Sequence, residues 1–587
     1  ESNFSERRIK QLKILKDIAY KIIDFISQFE DELVRIWNKP KFILNSNYVI
    51  TLDRIANKGE KGIKLIEKII NHKGFEEQVK EWKELGIIEN FDKNKLFVQT
   101  LNGKSLNKEY QFLPIDTKYF DEEIKYELLS LFENLDQELD GWLIKSENYQ
   151  ALNTILPKFK EKVQTIYIDP PFNKEQDADY FYSVKFKDAT WATMLENRLR
   201  LAKDLLKDTG SIFVRCDYNG NWIVRAIMNE IFGKENFQSE IILRRDIKPA
   251  KYIGNEIESL FFYSKTNNLY FNKNILKKTE RHYVEFHSPG EPKNKEDAYI
   301  LINNKRFYPP KGRHWSISKN EIYKLLERGE IKLKRKEYVN ILGNKENFIP
   351  VRLETEYSLL TNNWSDIHGY GKITADLINN YFPTENSEIL LKRVIECSSD
   401  EGDLVMDFFL GSGTTTAVAH KLKRKWIGIE MGEHFYSVIL PRMKKVLAYD
   451  KSGISKEKDV KEKYNENNAG GFFKYFEIEQ FEQALRKVKY ACDDPFLMPG
   501  EDPYNQYIFM KDLKLIEALE IDYRENKVKV DLSKLYNNID VAETLSCLLG
   551  KMIKKLNKYE VEFEDGMKID LKNLDYRLIK PLIWWGV

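Results

Sequence analysis

"VQTIYIDPPFN", residues 163–173, is the stretch whose reading decides the fold. It begins as a run apolar enough for a buried strand, with Ile166, Tyr167 and Ile168 at its end, and halts at an acid and two prolines. Proline lacks the N–H that a strand ladder uses, so Pro170 and Pro171 end the strand and stiffen the next few residues. A backbone carbonyl held between stiff residues is an aimed acceptor. Asp169 adds a second acceptor, and Phe172 adds a flat apolar face. Two acceptors beside an aromatic plate suit a planar ring bearing an exocyclic amino group. A rigid strand exit, whose Asp169 and Asn173 merely cap the next element, fits these residues alone equally well.

Outward from this strand the pattern is α/β. "GWLIKSENYQALNTILPKF", from Gly141, reads strand, turn, helix. After the double proline, "TWATMLENRLRLAKDLLKDTG" reads as an amphipathic helix with a glycine stop, "SIFVRCD" as another buried strand and "WIVRAIMNEIFG" as a further helix. Strands alternating with helices predict a mostly parallel sheet covered on both faces.

The rhythm breaks between about residues 241 and 365. Residues 241–350 hold 23 Lys and Arg against 13 Asp and Glu, while the chain of 587 carries only +2, so the remainder is net acidic. A basic excess confined to one segment is the footprint of polyanion contact; lysine on a solvated surface is the bland alternative. The α/β pattern then resumes. "LVMDFFLGSGTTT", residues 404–416, reads as a buried strand ending at Asp407, a Gly-Ser-Gly turn and a helix start. Glycines after a strand let the backbone approach a ligand, and a helix N-terminus offers free N–H groups. "KWIGIE" then reads as a strand ending at Glu430, a carboxylate placed for ribose hydroxyls. A phosphate-binding loop would need Lys after Gly413 and has Thr414; a dinucleotide fingerprint would need Gly where Thr416 stands. S-adenosylmethionine, which needs a close backbone, an acid and a nonpolar slot, is the third reading; the G-x-G alone is weak evidence for it and becomes specific only together with D-P-P-F.

At the ends, Ile9, Leu12, Leu15, Ile18, Ile22, Ile26, Phe29 and Leu33 recur at steps of three and four, predicting one long amphipathic helix docked on other helices or serving as an interaction arm. The chain starts at Glu1 rather than Met, as though a piece had preceded it. A charge-rich connector after about residue 445 leads to a smaller C-terminal region. Cys216, Cys397, Cys492 and Cys547 stand far apart and the seven histidines are scattered, so neither a metal site nor a disulfide framework is expected. No apolar run is long enough to span a bilayer, and a reducing cytoplasm fits.

Taken together, D-P-P-F followed by F-L-G-S-G, with a basic insertion between, resembles the β-class DNA amino-methyltransferases, especially the modification (Mod) subunits of type III restriction–modification systems. The resemblance implies an α/β Rossmann-like methyltransferase core in two parts, residues 139–240 and 366–445. It also implies an inserted α+β target-recognition domain at 241–365, a helical N-terminal region at 1–138 and a C-terminal domain at 446–587. It assigns catalysis to Asp169, Pro170, Pro171 and Phe172. S-adenosylmethionine would be held by Glu147, Asn148, Thr384, Ser387, Asp407, Phe409, Gly411, Ser412, Gly413, Thr414 and Glu430, with no metal. "SEN" at 146–148 stands where the family usually has Gly-Asp-Asn, and Asn386-Ser387 where it often has Lys-Pro.

The implied reaction is methylation of adenine N6 in double-stranded DNA, the base being flipped at a cost of a few kcal/mol. Phe172 would offset that by stacking, worth about 1–3 kcal/mol. Asp at the first motif position goes with adenine more than with cytosine N4. A homodimer and a separate restriction subunit are further implications, since this chain shows no helicase or nuclease motif of its own. A nucleic-acid-binding subunit with an inert core, and an RNA or small-molecule methyltransferase, are the alternatives.

Overall fold

A computed structural model describes residues 6–100, 103–171, 187–244, 254–278, 282–353, 357–368 and 386–482, then short stretches (488–489, 511–512, 519–522, 527–530, 532) and 535–583. By its contacts the chain divides into two units, Lys273–Thr361 and all the rest.

The larger unit is built on one sheet of eleven strands. In chain order these are β1 (Ile43–Thr51), β2 (Pro114–Asp116), β3 (Gly141–Lys145), β4 (Val163–Ile168), β5 (Leu206–Cys216), β6 (Phe237–Arg244), β7 (Ile257–Ser264), β8 (Asn363–His368), β9 (Leu404–Asp407), β10 (Lys425–Glu430) and β11 (Phe472–Ile478). Their spatial order is β8-β6-β7-β5-β4-β9-β10-β3-β11-β1-β2. The six from β5 to β11 run parallel, and β7 and β1 flank them antiparallel. Every residue of β4 is buried, as befits a strand covered on both faces.

The principal helices are α1 (Glu6–Asn38), α2 (Asn148–Phe159), α3 (Asp188–Leu205), α4 (Asn221–Phe232), α5 (Glu388–Ser398), α6 (Thr414–Lys421), α7 (Leu440–Leu447) and α8 (Val541–Leu549). From β3 the chain passes through α2 to β4 and through α3 to β5, moving one way along the sheet. From β9 it passes through α6 to β10, moving the other way. Right-handed crossovers therefore put α2 and α3 on one face and α6 on the other. The direction reverses between β4 and β9, which makes their carboxyl ends the place where an open α/β sheet leaves a crevice.

Both chain ends are part of this core. β1 pairs with β11, Ile43 opposite Ile478, and one continuous apolar cluster joins Ile43, Ile155, Phe476, Leu545 and Leu582. Buried Lys474 bridges Asp540 and Glu543 at 2.9 Å each, and Lys158 of α2 reaches Asp136 and Glu543 at 2.7 Å each. The N-terminal helix forms where expected. Its last turn docks, with Ile36 fully buried and Trp37 stacked on Tyr149 at 5.4 Å, while the stripe ahead of it faces solvent instead of packing on other helices.

Within the smaller unit, Ile331–Val339 and Lys345–Leu353 form a hairpin extended by Tyr283–Glu285. The helix Lys319–Glu327 packs Ile322 into a small core with Phe286, Ile300 and Phe307. Residues 241–272, which the sequence assigns to the insertion, supply the end of β6 and all of β7 to the large sheet.

Candidate active site

Because β4, β9, β10 and β3 are consecutive parallel neighbours, their four carboxyl ends share one edge. Met406 sits opposite Ile166, Asp407 opposite Gly428, and Glu430 opposite Lys145. Asp169 therefore emerges next to Asp407, although 238 positions separate them. Glu430 follows on the far side of Asp407, and Glu147 and Asn148 open α2 one strand further on. The double-proline tip and the glycine turn thus lie on adjacent strands.

Asp169 is half-buried. Burial pushes its carboxyl up to about 6 from an ordinary 3.8, against the pull of the Arg215 guanidinium at 3.5 Å. Arg215 stands at the end of β5 with no exposed side-chain surface. Its Nε donates to Glu258 Oε2 at 2.9 Å, and its Nη1 donates to Asn386 Oδ1. Tyr167, on the strand below, donates its hydroxyl to the same Asn386 oxygen at 3.0 Å. Pro171 is fixed from the other side, where Trp191 of α3 donates its indole N–H to the Pro171 carbonyl at 2.8 Å. A methyl added at Gly220 would lie 2.4 Å from the Trp191 ring, so only glycine lets that indole reach the loop.

The glycine turn is equally constrained. Gly411 and Gly413 have φ of 57° and 83°, values that favour glycine. Asp407 accepts from Phe409 N at 2.9 Å and Thr415 Oγ1 at 2.5 Å, yet burial holds its carboxyl up at about 7, with Asp169 and Glu430 adding repulsion. Glu430 accepts from three backbone N–H groups, Gly411 at 3.0 Å, Met431 at 3.0 Å and Gly432 at 2.9 Å. The His434 imidazole stands 3.5 Å from the same carboxylate. Ser412 and Thr414 are buried and bonded to each other at 2.9 Å, and Arg442 of α7 donates to Thr414 Oγ1 at 3.0 Å. The Phe409 backbone N–H is held by Asp407, and its ring leans on Phe408.

Glu147 caps α2 by accepting from Gln150 N at 3.0 Å and takes a second bond from Arg198. Asn148 donates to the Phe408 carbonyl at 2.9 Å, tying the start of α2 to the end of β9. Ser387 is buried at the start of α5, where its carbonyl accepts the Leu391 N–H. Phe172 and Thr384 lie outside the described residues. Sequence reasoning missed Arg215, Glu258, Trp191, Arg198 and Arg442. For Arg215 the signal was present, since "SIFVRCD" puts a guanidinium inside an otherwise apolar strand.

The donor set fits S-adenosylmethionine. Two glycines in left-handed conformations bring the backbone close, the Glu430 carboxylate stands at the next strand tip, and α6 presents its N-terminus.

Known proteins resemble this chain in sequence. The family N6_N4_Mtase, described as DNA methylase, matches residues 163–441. A probable type III restriction–modification enzyme HindVI Mod subunit of Haemophilus influenzae is 29% identical over 523 residues, 73% of this chain and 68% of that one. The type II methyltransferase M.EcaI of Enterobacter cloacae is 27% identical over 314 residues, covering 50% and 67%. Among solved structures, PvuII DNA methyltransferase (cytosine-N4-specific) overlaps 54% of this chain and 89% of its own at 13% identity and a TM-score of 0.31, an overlap too slight to decide anything further. Residues 163–441 thus match the DNA methylase family, and the chain resembles the Mod subunits of type III restriction–modification enzymes.

Proposed function

We propose that this chain methylates adenine N6 in double-stranded DNA, using S-adenosylmethionine, as the modification subunit of a restriction–modification system. One observation carries the reading, namely the acid–proline tip of β4 beside the glycine turn of β9 on neighbouring parallel strands. A separate restriction subunit is the partner that the resemblance to type III Mod subunits suggests.

An aromatic amine is a poor nucleophile because its lone pair is spread into the ring. Asp169 and the Pro170 carbonyl accept its two hydrogens and so favour a pyramidal nitrogen. Trp191 keeps the loop from turning by holding the next carbonyl. Those contacts strengthen as positive charge develops on nitrogen, so they stabilise the transition state more than the ground state. S-adenosylmethionine supplies a methyl on a positively charged sulfur. Transfer to the nitrogen lone pair would leave the S–C bonding electrons on sulfur, and Asp169 would pass the surplus amine proton to water. Glu430, Asp407 and the Gly411–Gly413 backbone would hold the donor beside the β4 tip. Residues 241–365, with their basic excess, are the candidate readers of DNA, arginine and lysine serving phosphates and guanine edges.

Single-molecule sequencing of DNA from cells expressing the chain tests this directly. N6-methyladenine at one recurring site is expected, and none with Asp169→Ala, which should still bind the methyl donor. Unmodified DNA, or normal turnover by that variant, would refute the proposal.

A further inference from the structure

Two aromatic side chains beside the β4 tip stand largely in water. Val214 of β5 lies opposite Ile168, so the turn at residues 217–221 emerges next to Asp169, Pro170 and Pro171. Tyr218 in that turn is 56% exposed, and Trp222 in the first turn of α4 is 61% exposed. Trp82, Trp142, Trp191, Trp364 and Trp426 are all exposed by 2% or less, the ordinary state of an indole in a folded core. The mount of the exposed pair is rigid. Asp217 accepts from Asn219 N at 3.0 Å and Asn219 Nδ2 at 2.9 Å, and its carbonyl accepts from Asn221 N at 3.0 Å. Gly220 lies against the Trp191 ring, whose indole N–H holds the Pro171 carbonyl. One buried indole therefore fixes the aromatic turn and the acceptor loop relative to each other.

Along the edge of the sheet the order is Tyr218 and Trp222 after β5, Asp169 after β4, the glycine turn after β9 and Glu430 at the end of β10. The groups suited to the methyl donor lie on the β9 side, which leaves the β5 side for the rest of the substrate. A base that reaches Asp169 has left its stack, and the faces of the bases beside it are then bare. Charge decides between those faces and phosphate. Residues 216–224 carry no Lys or Arg and one acid, Asp217, and Arg225 just beyond them lies over the Phe237 ring. Phosphates of a nucleic acid or a lipid want cations, whereas uncharged flat rings suit the faces of bases.

We infer that Tyr218 and Trp222 form a stacking platform for the nucleobases bared when the target base is extruded, a DNA contact made outside the basic residues 241–365. This rests on the methyl-transfer reading and adds to it the side chains that hold the opened duplex.

The test compares the full chain with Tyr218→Ala, Trp222→Ala on a labelled duplex carrying the site mapped by sequencing, and on the same duplex with that site scrambled. At about tenfold per lost stack, Kd and KM for the first duplex should rise roughly a hundredfold. Affinity for the scrambled duplex, in which no base is extruded, should not change. Methyl-donor affinity by calorimetry and the thermal midpoint should match wild type, because both rings already stand in water. Tyr218→Phe with Trp222→Phe should recover most of the lost affinity, since stacking needs a ring and neither the hydroxyl nor the indole N–H. A double alanine variant with wild-type Kd and KM would overturn the inference, as would an equal loss on the scrambled duplex or no recovery with phenylalanine. Unchanged DNA binding with lost association to a restriction subunit would make the pair a protein contact instead. A wild type that methylates no DNA sinks both readings, whereas an active wild type beside an unaffected double variant sinks this one alone.

Discussion

Replacing Asp169 by Asn should make the protein more stable while removing its activity. The carboxyl sits at about 6 in the fold against an ordinary 3.8, chiefly because its charge is taken from water. Two units, at 1.36 kcal/mol each, come to about 3 kcal/mol. The sign follows from linkage, since a carboxyl whose folded pKa lies above its unfolded one is worse off ionised in the fold. That penalty is fully present above about pH 6 and fades as pH falls toward 4, where both states are protonated. Asparagine keeps the shape and one oxygen for Arg215 but carries no charge to desolvate. Urea unfolding at pH 7.5 should therefore find Asp169→Asn more stable by about 2–3 kcal/mol, the gap narrowing by pH 5. With only 13% of the Asp169 side chain exposed, solvent screens little of this. A variant less stable than wild type at pH 7.5, or a gap that ignores pH, would mean that the Arg215 contact outweighs desolvation.

The remaining expectations concern the braces around the site. In the proposed reaction Asp169 is ionised, so the rate should rise with pH through about 6; in Arg215→Gln with Glu258→Gln, compared with Glu258→Gln alone, loss of the guanidinium 3.5 Å from the carboxyl should move the midpoint up by about one pH unit. The same profile in both proteins would show that Arg215 does not hold that charge, and Arg215→Gln alone should cost about 3–5 kcal/mol by stranding buried Glu258. Gly413→Ala places a methyl 3.3 Å from Ile439 Cγ2 at a φ of 83° and should weaken methyl-donor binding about tenfold by calorimetry, from strain of roughly 1–2 kcal/mol. Lys474→Met takes from Asp540 and buried Glu543 the cation they share, leaving Glu543 with Lys158, and should lower the thermal midpoint.

The groups that proved distant from sequence reasoning are those whose partners are remote in the chain. Arg198 bonds Glu147 across 51 positions and Asn148 across 50. Glu147, assigned to S-adenosylmethionine, also caps its own helix, a local role that Ser-Glu-Asn before an apolar run permits. The insertion at 241–365 reads as one block because its aromatic and basic content is continuous. Yet Ile257–Ser264 is an antiparallel strand of the main sheet, and strand membership is decided by pairing partners rather than by composition.

By itself the sequence determined what is local: which runs are strands or helices, where prolines and glycines stop them, and which residue types stand at each tip. Those properties depend on neighbours a few positions away, through hydrogen-bonding capacity, allowed φ and apolar period. Only the tertiary structure decided that β4 and β9 are adjacent, that the chain ends close the same core, and that a buried guanidinium lies beside the Asp169 carboxylate. Pairing between strands hundreds of residues apart is chosen by burial of the whole sheet, and so is the low-dielectric surrounding that raises Asp169. No single segment carries that information.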